Sequence, residues 1–345
     1  VSISNGSISL KRDKLIDIEG KFNTQFNLDE NAINRLFSRL DIKILKKNKV
    51  SAKGSLLHNF FFKIDENFKL IDYDYKSKGN ILESQIILKN VFQNNFFEKS
   101  IKKFSIFKTN LEININKKKQ NLLMFDGLYN LGRADKKKFK ISHNLNVKKP
   151  KYLIDFDLSE NIFLELINFK SNHKNKSNIK SEIKFINNNV IFNYIKLTEG
   201  KNLININDLN LNNKNELVSI SAVEVRTFNN NKENNNFKIS FKEKISVFGD
   251  KYDATHLFKQ FSSNSKANPL KNYTKDIEIK LNHLISKSQI PLKNLNLIGR
   301  VNKGKFDKLS AKSELSKTEY LDVSLKTDKN NKKILEIYSD LPQAL

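Results

Sequence analysis

The chain is 345 residues long and carries 62 Lys and Arg against 37 Asp and Glu, a net charge of +25. Hydrophobic residues make up 38% and charged residues 29%, too little apolar mass for a thick enclosed core, so a thin or open architecture is expected. The absence of cysteine excludes disulfides, thiolate metal sites and cysteine nucleophiles, and no run approaches the roughly 18 apolar residues of a membrane-spanning helix.

The first distinctive segment is "FNLDENAINRLF", Phe26 to Phe37. Ile33, Leu36, Phe37 and Leu40 recur at helical spacing, and Asp29 is placed to accept hydrogen bonds from the unpaired amides of the first turn. Next, "NFFFKIDENFKLIDYDYK" puts Phe60, Phe62, Ile64, Phe68 and Leu70 on one parity, pointing at a core, with Asp65, Glu66, Asp72 and Asp74 mixed through it. Asn5-Gly6, Gly54, Lys78-Gly79-Asn80 and Asp126-Gly127 are expected to mark turns.

Strict alternation follows in "LEINI" (Leu111, Ile113, Ile115) and "KFKISHNLNV" (Phe139, Ile141, His143, Leu145, Val147). Period two sends side chains to opposite faces of a strand, one apolar and one wet, which antiparallel sheets tolerate. "FDLSENIFLELI" (Phe156 to Ile167) repeats the register of the first helical segment, with Ser159 as cap and Ile162, Phe163, Leu166 and Ile167 as its stripe. A polar stretch from Asn229 to Asn236 predicts a hairpin tip.

Alternation returns in three segments: Phe237, Ile239, Phe241; then Ile277, Ile279, Leu281; then Leu321, Val323, Leu325. Between the first two, "KISVFGDKYDATHLFKQF" changes from strand to helix, with Asp253 as cap and Leu257, Phe258 and Phe261 as stripe. Strand, cap and short helix thus recur three times, as in a divergent repeat. The fold expected is all-β and mainly antiparallel, an elongated, curled sheet forming a groove, with a few short amphipathic helices. Its organisation is read as a β region over 1–170, carrying two strand-cap-helix units, and a second β region over 171–345 that continues beyond the C-terminus. A chain that opens on Val and closes in strand-like sequence reads as a piece of a longer polypeptide.

The chemistry is sparse. His58, His143, His173, His256 and His283 form no metal-binding spacing, and no phosphate cradle or nucleophile elbow is present. Asp253 and His256 lie three apart, but Asp253 has a capping duty. The pairs Asp72/Asp74 and Asp155/Asp157 each project to one strand face opposite an apolar one, where a solvated surface explains them better than general acid–base work. No catalytic residue, metal site or cofactor is expected. Almost all positive charge is lysine, with arginine only at Arg12, Arg35, Arg39, Arg133, Arg226 and Arg300. Nucleic-acid readers favour the arginine fork, so nucleic acid is disfavoured as partner. An A+T-rich coding bias accounts for most of the charge, and a preference for anionic surfaces for the rest.

The stretch Asn205 to Phe261 resembles the periplasmic AsmA-like family (TamB- and YhdP-type proteins). The resemblance is carried by Asp208-Leu209-x-Leu211, Leu217-x-Ser219-Ile220, Gly249-Asp250-x-Tyr252-Asp253-Ala254 and Leu257-Phe258. "LIGRVNKGKFDKLSAKSEL", and the strand that leads into Asp340 to Leu345, resemble the stretch ahead of that family's C-terminal region. The resemblance implies a non-enzymatic, periplasmic protein that carries phospholipid between inner and outer membranes, tied to the inner membrane through a segment absent from this chain. Phe237, Ile239, Phe241, Ile277, Ile279, Leu281, Leu321, Val323 and Leu325 would then line the groove. Other envelope proteins enter as possible partners, since the resemblance also allows a structural or assembly factor for outer-membrane proteins; a basic nucleic-acid-binding β protein is the remaining alternative. A closed sandwich whose inner faces interlock is the competing architecture.

Overall fold

The computed structural model describes residues 1–37, 48–92, 100–118, 121–132, 135–144, 151–172, 175–256, 274–286, 291–303, 305–330 and 332–341. The protein is all-β. Twenty strands belong to one mostly antiparallel sheet that does not close into a barrel, and two short strands pair separately. The chain divides into two compact units, the first comprising Val1–Glu160 with Asn178–Phe185, the second Asn161–Ser177 with Ile186–Leu345. The first unit thus takes back one strand from beyond the division expected at residue 170.

In the first unit the strands are β1 (Ser2–Arg12), β2 (Ile16–Leu28), β3 (Lys49–Ile64), β4 (Leu70–Phe92), β5 (Ile101–Asn116), β6 (Leu122–Asn130), β7 (Lys137–Asn144) and β8 (Lys151–Asp157). Each pairs antiparallel with the next. β8 then pairs with β11 (Ser177–Ile186). Helix α1 (Glu30–Phe37) follows β2. Asp29 accepts the Ala32 amide through Oδ1 at 2.8 Å, and Ile33 is only 4% exposed. Leu40 lies outside the described residues, as do Leu145, Val147 and His173.

The glycines expected in turns lie inside strands instead. Gly54 is in β3, Gly79 in β4 and Gly127 in β6, and Asn5-Gly6 interrupts the β1 register without ending the strand. At Gly54, Gly79 and Gly127 neighbouring groups already occupy the space a Cβ would take, whereas Gly6 has only ordinary contacts, at 3.7 Å and beyond. At Gly20 a Cβ would meet the Phe60 ring at 2.1 Å, and at Gly79 it would meet the Ser55 carbonyl oxygen at 2.0 Å. Aromatic rings folded over strand glycines are a recognised way to fill a sheet face. Phe68, expected on the apolar parity, sits in the β3–β4 turn at φ 59 and is 78% exposed.

In the second unit, β12 (Asn189–Glu199), β13 (Asn202–Leu211), β15 (Ala222–Asn229), β16 (Lys232–Phe241) and β17 (Ile245–Asp253) pair antiparallel in that order. The short β14 (Leu217–Ser219) pairs with the end of β13. β18 (Lys275–Ile285) pairs parallel with β17, a break in the expected meander made possible by the long connection 254–274. β19 (Leu292–Asn302), β20 (Lys305–Glu314), β21 (Tyr320–Thr327) and β22 (Lys333–Ser339) complete the ladder antiparallel.

The second helical segment is not a helix. Phe163–Leu164 (β9) and Phe169–Lys170 (β10) form a two-residue hairpin around a 3-10 turn, Glu165–Ile167, with Asn168 left-handed at φ 46. Ser159 therefore caps nothing. It is buried beside Tyr129, whose hydroxyl donates to the Asp157 carbonyl at 2.7 Å. The helix loses because Ile162 and Ser171 close the loop: the Ile162 amide donates to Ser171 Oγ at 2.7 Å, and the Ser171 amide donates back to the Ile162 carbonyl at 2.8 Å. The third segment's stripe, Leu257, Phe258 and Phe261, lies outside the described residues.

Gly79→Val forces a branched side chain into the backbone of β3 and is expected to destabilise the first unit by about 3 kcal/mol. Gly200→Asn, at φ 55 with nothing within 4 Å, is expected to leave the urea unfolding midpoint within error, because asparagine tolerates that conformation.

Candidate functional site

Backbone pairing in the second unit brings apolar residues from non-adjacent segments into continuous rows. One row runs Ile195, Ile206, Val223, Ile239, Val247, Ile279, Leu297, Ala311, Val323 and Ile337, one residue from each of ten successive ladder strands. A second runs Leu197, Ile204, Val225, Phe237, Gly249, Leu281 and Leu295. A third runs Phe241, Ile245, Ile277, Gly299, Leu309, Leu325 and Leu335. Eight of the nine residues expected to line a groove fall in these rows, and Leu321 lies beside them, two residues before Val323.

These rows differ in cover. Leu197, Ile204, Val225, Phe237 and Leu281 of the second row are buried, whereas Ile239, Phe241, Ile277, Ile279, Leu321, Val323 and Leu325 are half-buried. Among the described residues, the substantial packing contacts of this unit run between ladder neighbours, apart from the Asn161–Ser171 segment, which meets β15 through β10.

The Asn161–Ser171 segment acts as a strap at the ends of β15, β16 and β17, beside the second row, held by a buried polar cluster. Asn235 and Thr227 are fully buried, Asn234 is 6% exposed and Asp253 5%. Asn235 Nδ2 donates to the Ile167 carbonyl at 2.6 Å and to Thr227 Oγ1 at 2.8 Å, while its Oδ1 accepts the Asp253 amide at 2.8 Å. Thr227 Oγ1 donates to Asn234 Oδ1 at 2.8 Å. The Asp253 carboxylate accepts Asn168 Nδ2 at 2.9 Å, Asn234 Nδ2 at 3.3 Å and the Thr255 hydroxyl at 2.5 Å. Asp253 is therefore the anchor of a strand end and a loop, and His256 stacks edge-on against Phe163. Tyr252 donates to the Leu166 carbonyl at 2.9 Å and packs on Phe237 at 5.0 Å between ring centroids. Its pKa is pushed up to about 12 by burial, with the Asp253 charge adding to the shift.

Reading the Asn229–Asn236 run as a loop missed this cluster. Only Asn230 and Asn231 turn, both at positive φ, and β16 begins at Lys232. The available signal was parity: Asn235 stands two residues before Phe237, hence on the apolar face, where a buried amide must find partners.

The first unit carries its own apolar rows, one of them Phe22, His58, Ser77, Ile113, Leu123, His143, Tyr152 and Ile183. His58 is sheet-facing and structural: Nε2 pairs with Thr24 Oγ1 and Nδ1 with the Tyr75 hydroxyl, both at 2.8 Å, and the ring stacks on Phe22. Burial lowers its pKa. His143 stacks on Tyr152 at 3.8 Å.

The opposite faces interleave charges of both signs. Asn178 bridges Asp155 at 2.6 Å and Asp157 at 3.0 Å. Burial raises the Asp155 pKa, but hydrogen bonds from Asn178 and Lys180 with the charges of Lys180 and Lys140 outweigh it, for a net lowering. Asp74 pairs with Lys76 at 2.8 Å and Lys238 with Glu224 at 3.0 Å. Glu278 is drawn down to about 2 by hydrogen bonds from Lys244 and Lys280. Among the described residues no group of His, Asp and Glu is arranged to hold a metal ion.

Asn235→Ala removes the donor to Ile167 and strands buried partners, a cost of about 2 kcal/mol. Amide exchange at Ser171 is expected to accelerate while exchange in β20–β22 stays unchanged. Tyr252 keeps its proton above the usual tyrosine range in the folded state, so its contribution to stability is complete below pH 10 and is lost as pH rises towards about 12. Urea midpoints should fall across that window, and Tyr252→Phe should remove that part of the fall. Comparison with family models, with curated proteins and with solved structures finds no match to this chain.

Proposed function

We propose that the chain is a segment of an AsmA-like intermembrane lipid-transfer protein, and that its apolar rows carry phospholipid acyl chains across an aqueous gap. The observation that carries this reading is the row Ile195 to Ile337: ten strands in phase, with Ile239, Ile279 and Val323 only half-buried by the protein itself. Each methylene that such a surface removes from water is worth about 0.8 kcal/mol, so an acyl chain lying along the rows finishes a burial that the sheet begins. Because rows cross strands, the apolar surface runs perpendicular to the chain direction, along the axis in which strands are added. More strands make a longer track, which suits transport over distance. The head group stays at the margin, in water.

The mixed-sign opposite face supports this reading over nucleic-acid binding, since carboxylates sit among the lysines and would repel phosphate. A second reading, an assembly factor for outer-membrane proteins, is favoured by one feature: β22 pairs only with β21 among the described residues, and exposes Ile334, Leu335, Ile337 and Tyr338, a template for an added strand.

Native mass spectrometry of the purified chain is expected to find bound phospholipid. The combined variant Ile239→Lys, Ile279→Lys and Val323→Lys is expected to lose it and keep the β signature in circular dichroism. Lipid retained by the folded variant refutes the track, and copurification of barrel-assembly components without lipid favours the second reading.

A further inference from the structure

We infer that the two ends of the second unit's strands are chemically different, and that one of them is a docking edge for an anionic membrane surface. Pairing fixes which residues share an end. The β16–β17 turn, the start of β18, the β19–β20 turn and the β21–β22 turn all lie at the same end of the ladder. That end presents Lys242, Lys275, Lys303, Lys305, Lys329 and Lys332. All but Lys275 are exposed, and none pairs with a carboxylate among the described residues.

Most acidic groups at this end are already engaged. Asp276 pairs with Arg300 at 3.0 Å, Asp307 with Lys333 at 3.5 Å and Glu278 with Lys244 and Lys280. Asp328 accepts the backbone amides of Asn330 and Lys332 at 2.8 and 2.7 Å. Glu243 of the β16–β17 turn is also exposed at this end, so what faces outward is an excess of lysine. The opposite end carries Glu233, Asp250, Asp253, Glu314, Glu319 and Asp340, with lysines such as Lys201, Lys232 and Lys317 between them. A coding bias towards lysine enriches both ends alike and does not produce this polarity.

An anionic bilayer fits the basic end by charge, and the exposed Val218 and Leu335 at the same end, 48% and 58% accessible, add apolar contact beside the lysines. The rows of apolar residues reach this end through Phe241, Ile277, Gly299, Leu309, Leu325 and Leu335, so an acyl chain leaving the bilayer there meets the track directly. The partner is chosen on the lipid-carrying reading above, and the inference rests on it.

Vesicle flotation of the full chain tests it, using phosphatidylcholine vesicles with and without phosphatidylglycerol. Binding only to the anionic vesicles is expected, weakening as salt screens the charges. Lys303→Gln with Lys329→Gln and Lys332→Gln is expected to weaken that binding by about tenfold or more. Lys201→Gln with Lys232→Gln and Lys317→Gln removes the same charge from the opposite end and should change it by less than about twofold. Equal effects of the two variants, no binding to anionic vesicles, or tighter binding to single-stranded RNA than to those vesicles overturns the inference. Bound phospholipid in native mass spectra is unaffected by either variant, because the rows are intact. Vesicle binding without bound lipid therefore fails the transfer reading alone, and bound lipid without vesicle binding fails the docking edge alone.

Discussion

Side-chain parity held in phase by backbone hydrogen bonding is the constraint on which this protein depends. A period-two strand has an apolar face only by itself; a one-residue slip between neighbours would turn that face to the other side. Across the ten ladder strands of the second unit no such inversion occurs, and the row from Ile195 to Ile337 is the result. Register is held within the sheet by cross-strand pairs, and by close approaches at Gly249 and Gly299, where a Cβ would meet the Asn236 and Lys308 carbonyl oxygens at 2.3 and 2.7 Å.

Bulges keep the rows in phase where the sequence departs from alternation. Phe306 and Leu309 are three apart, which would put them on opposite faces. The β19–β20 register shifts between Arg300 and Val301, so Val301 pairs with Phe306 while Gly299 pairs with Leu309. The same repair returns Tyr252 to Phe237, where β16 and β17 shift between Asn236 and Phe237. In the first unit it joins Ile106 to Thr109, with Lys108 at φ 44. An extra residue in one strand is what a β-bulge supplies, and here each one preserves a face.

The strap beside the second row illustrates a different economy. Fully buried amides and hydroxyls are costly unless satisfied, yet Asn235, Thr227, Asn234 and Asp253 sit together on an otherwise apolar surface. Their hydrogen bonds reach the Ile167 carbonyl and the Asn168 side chain, fixing a loop in one place as apolar contact alone would not. That strap lies at the ends of β15, β16 and β17 beside the second row, whereas Ile239, Ile279 and Val323 of the first row and Phe241, Ile277 and Leu325 of the third are half-buried.

By itself the sequence determined the element type and the faces. Alternation in Phe237–Phe241, Ile277–Leu281 and Leu321–Leu325 is a local property of adjacent residues, so it was legible without any partner, as was the Asp29 cap. Tertiary structure decided which strands become neighbours, including the parallel pairing of β17 with β18, since pairing joins segments whose sequences carry no mark of one another. It also decided against the helix after Ser159, where Ser171, beyond the reach of a helical turn, captures the Ile162 amide. It placed Gly54, Gly79 and Gly127 under neighbouring strands rather than in turns, and put Asn235 in a buried network whose partners come from three separate segments. Local periodicity is written in neighbouring residues; partner choice is a sum over distant ones, and only the folded chain performs it.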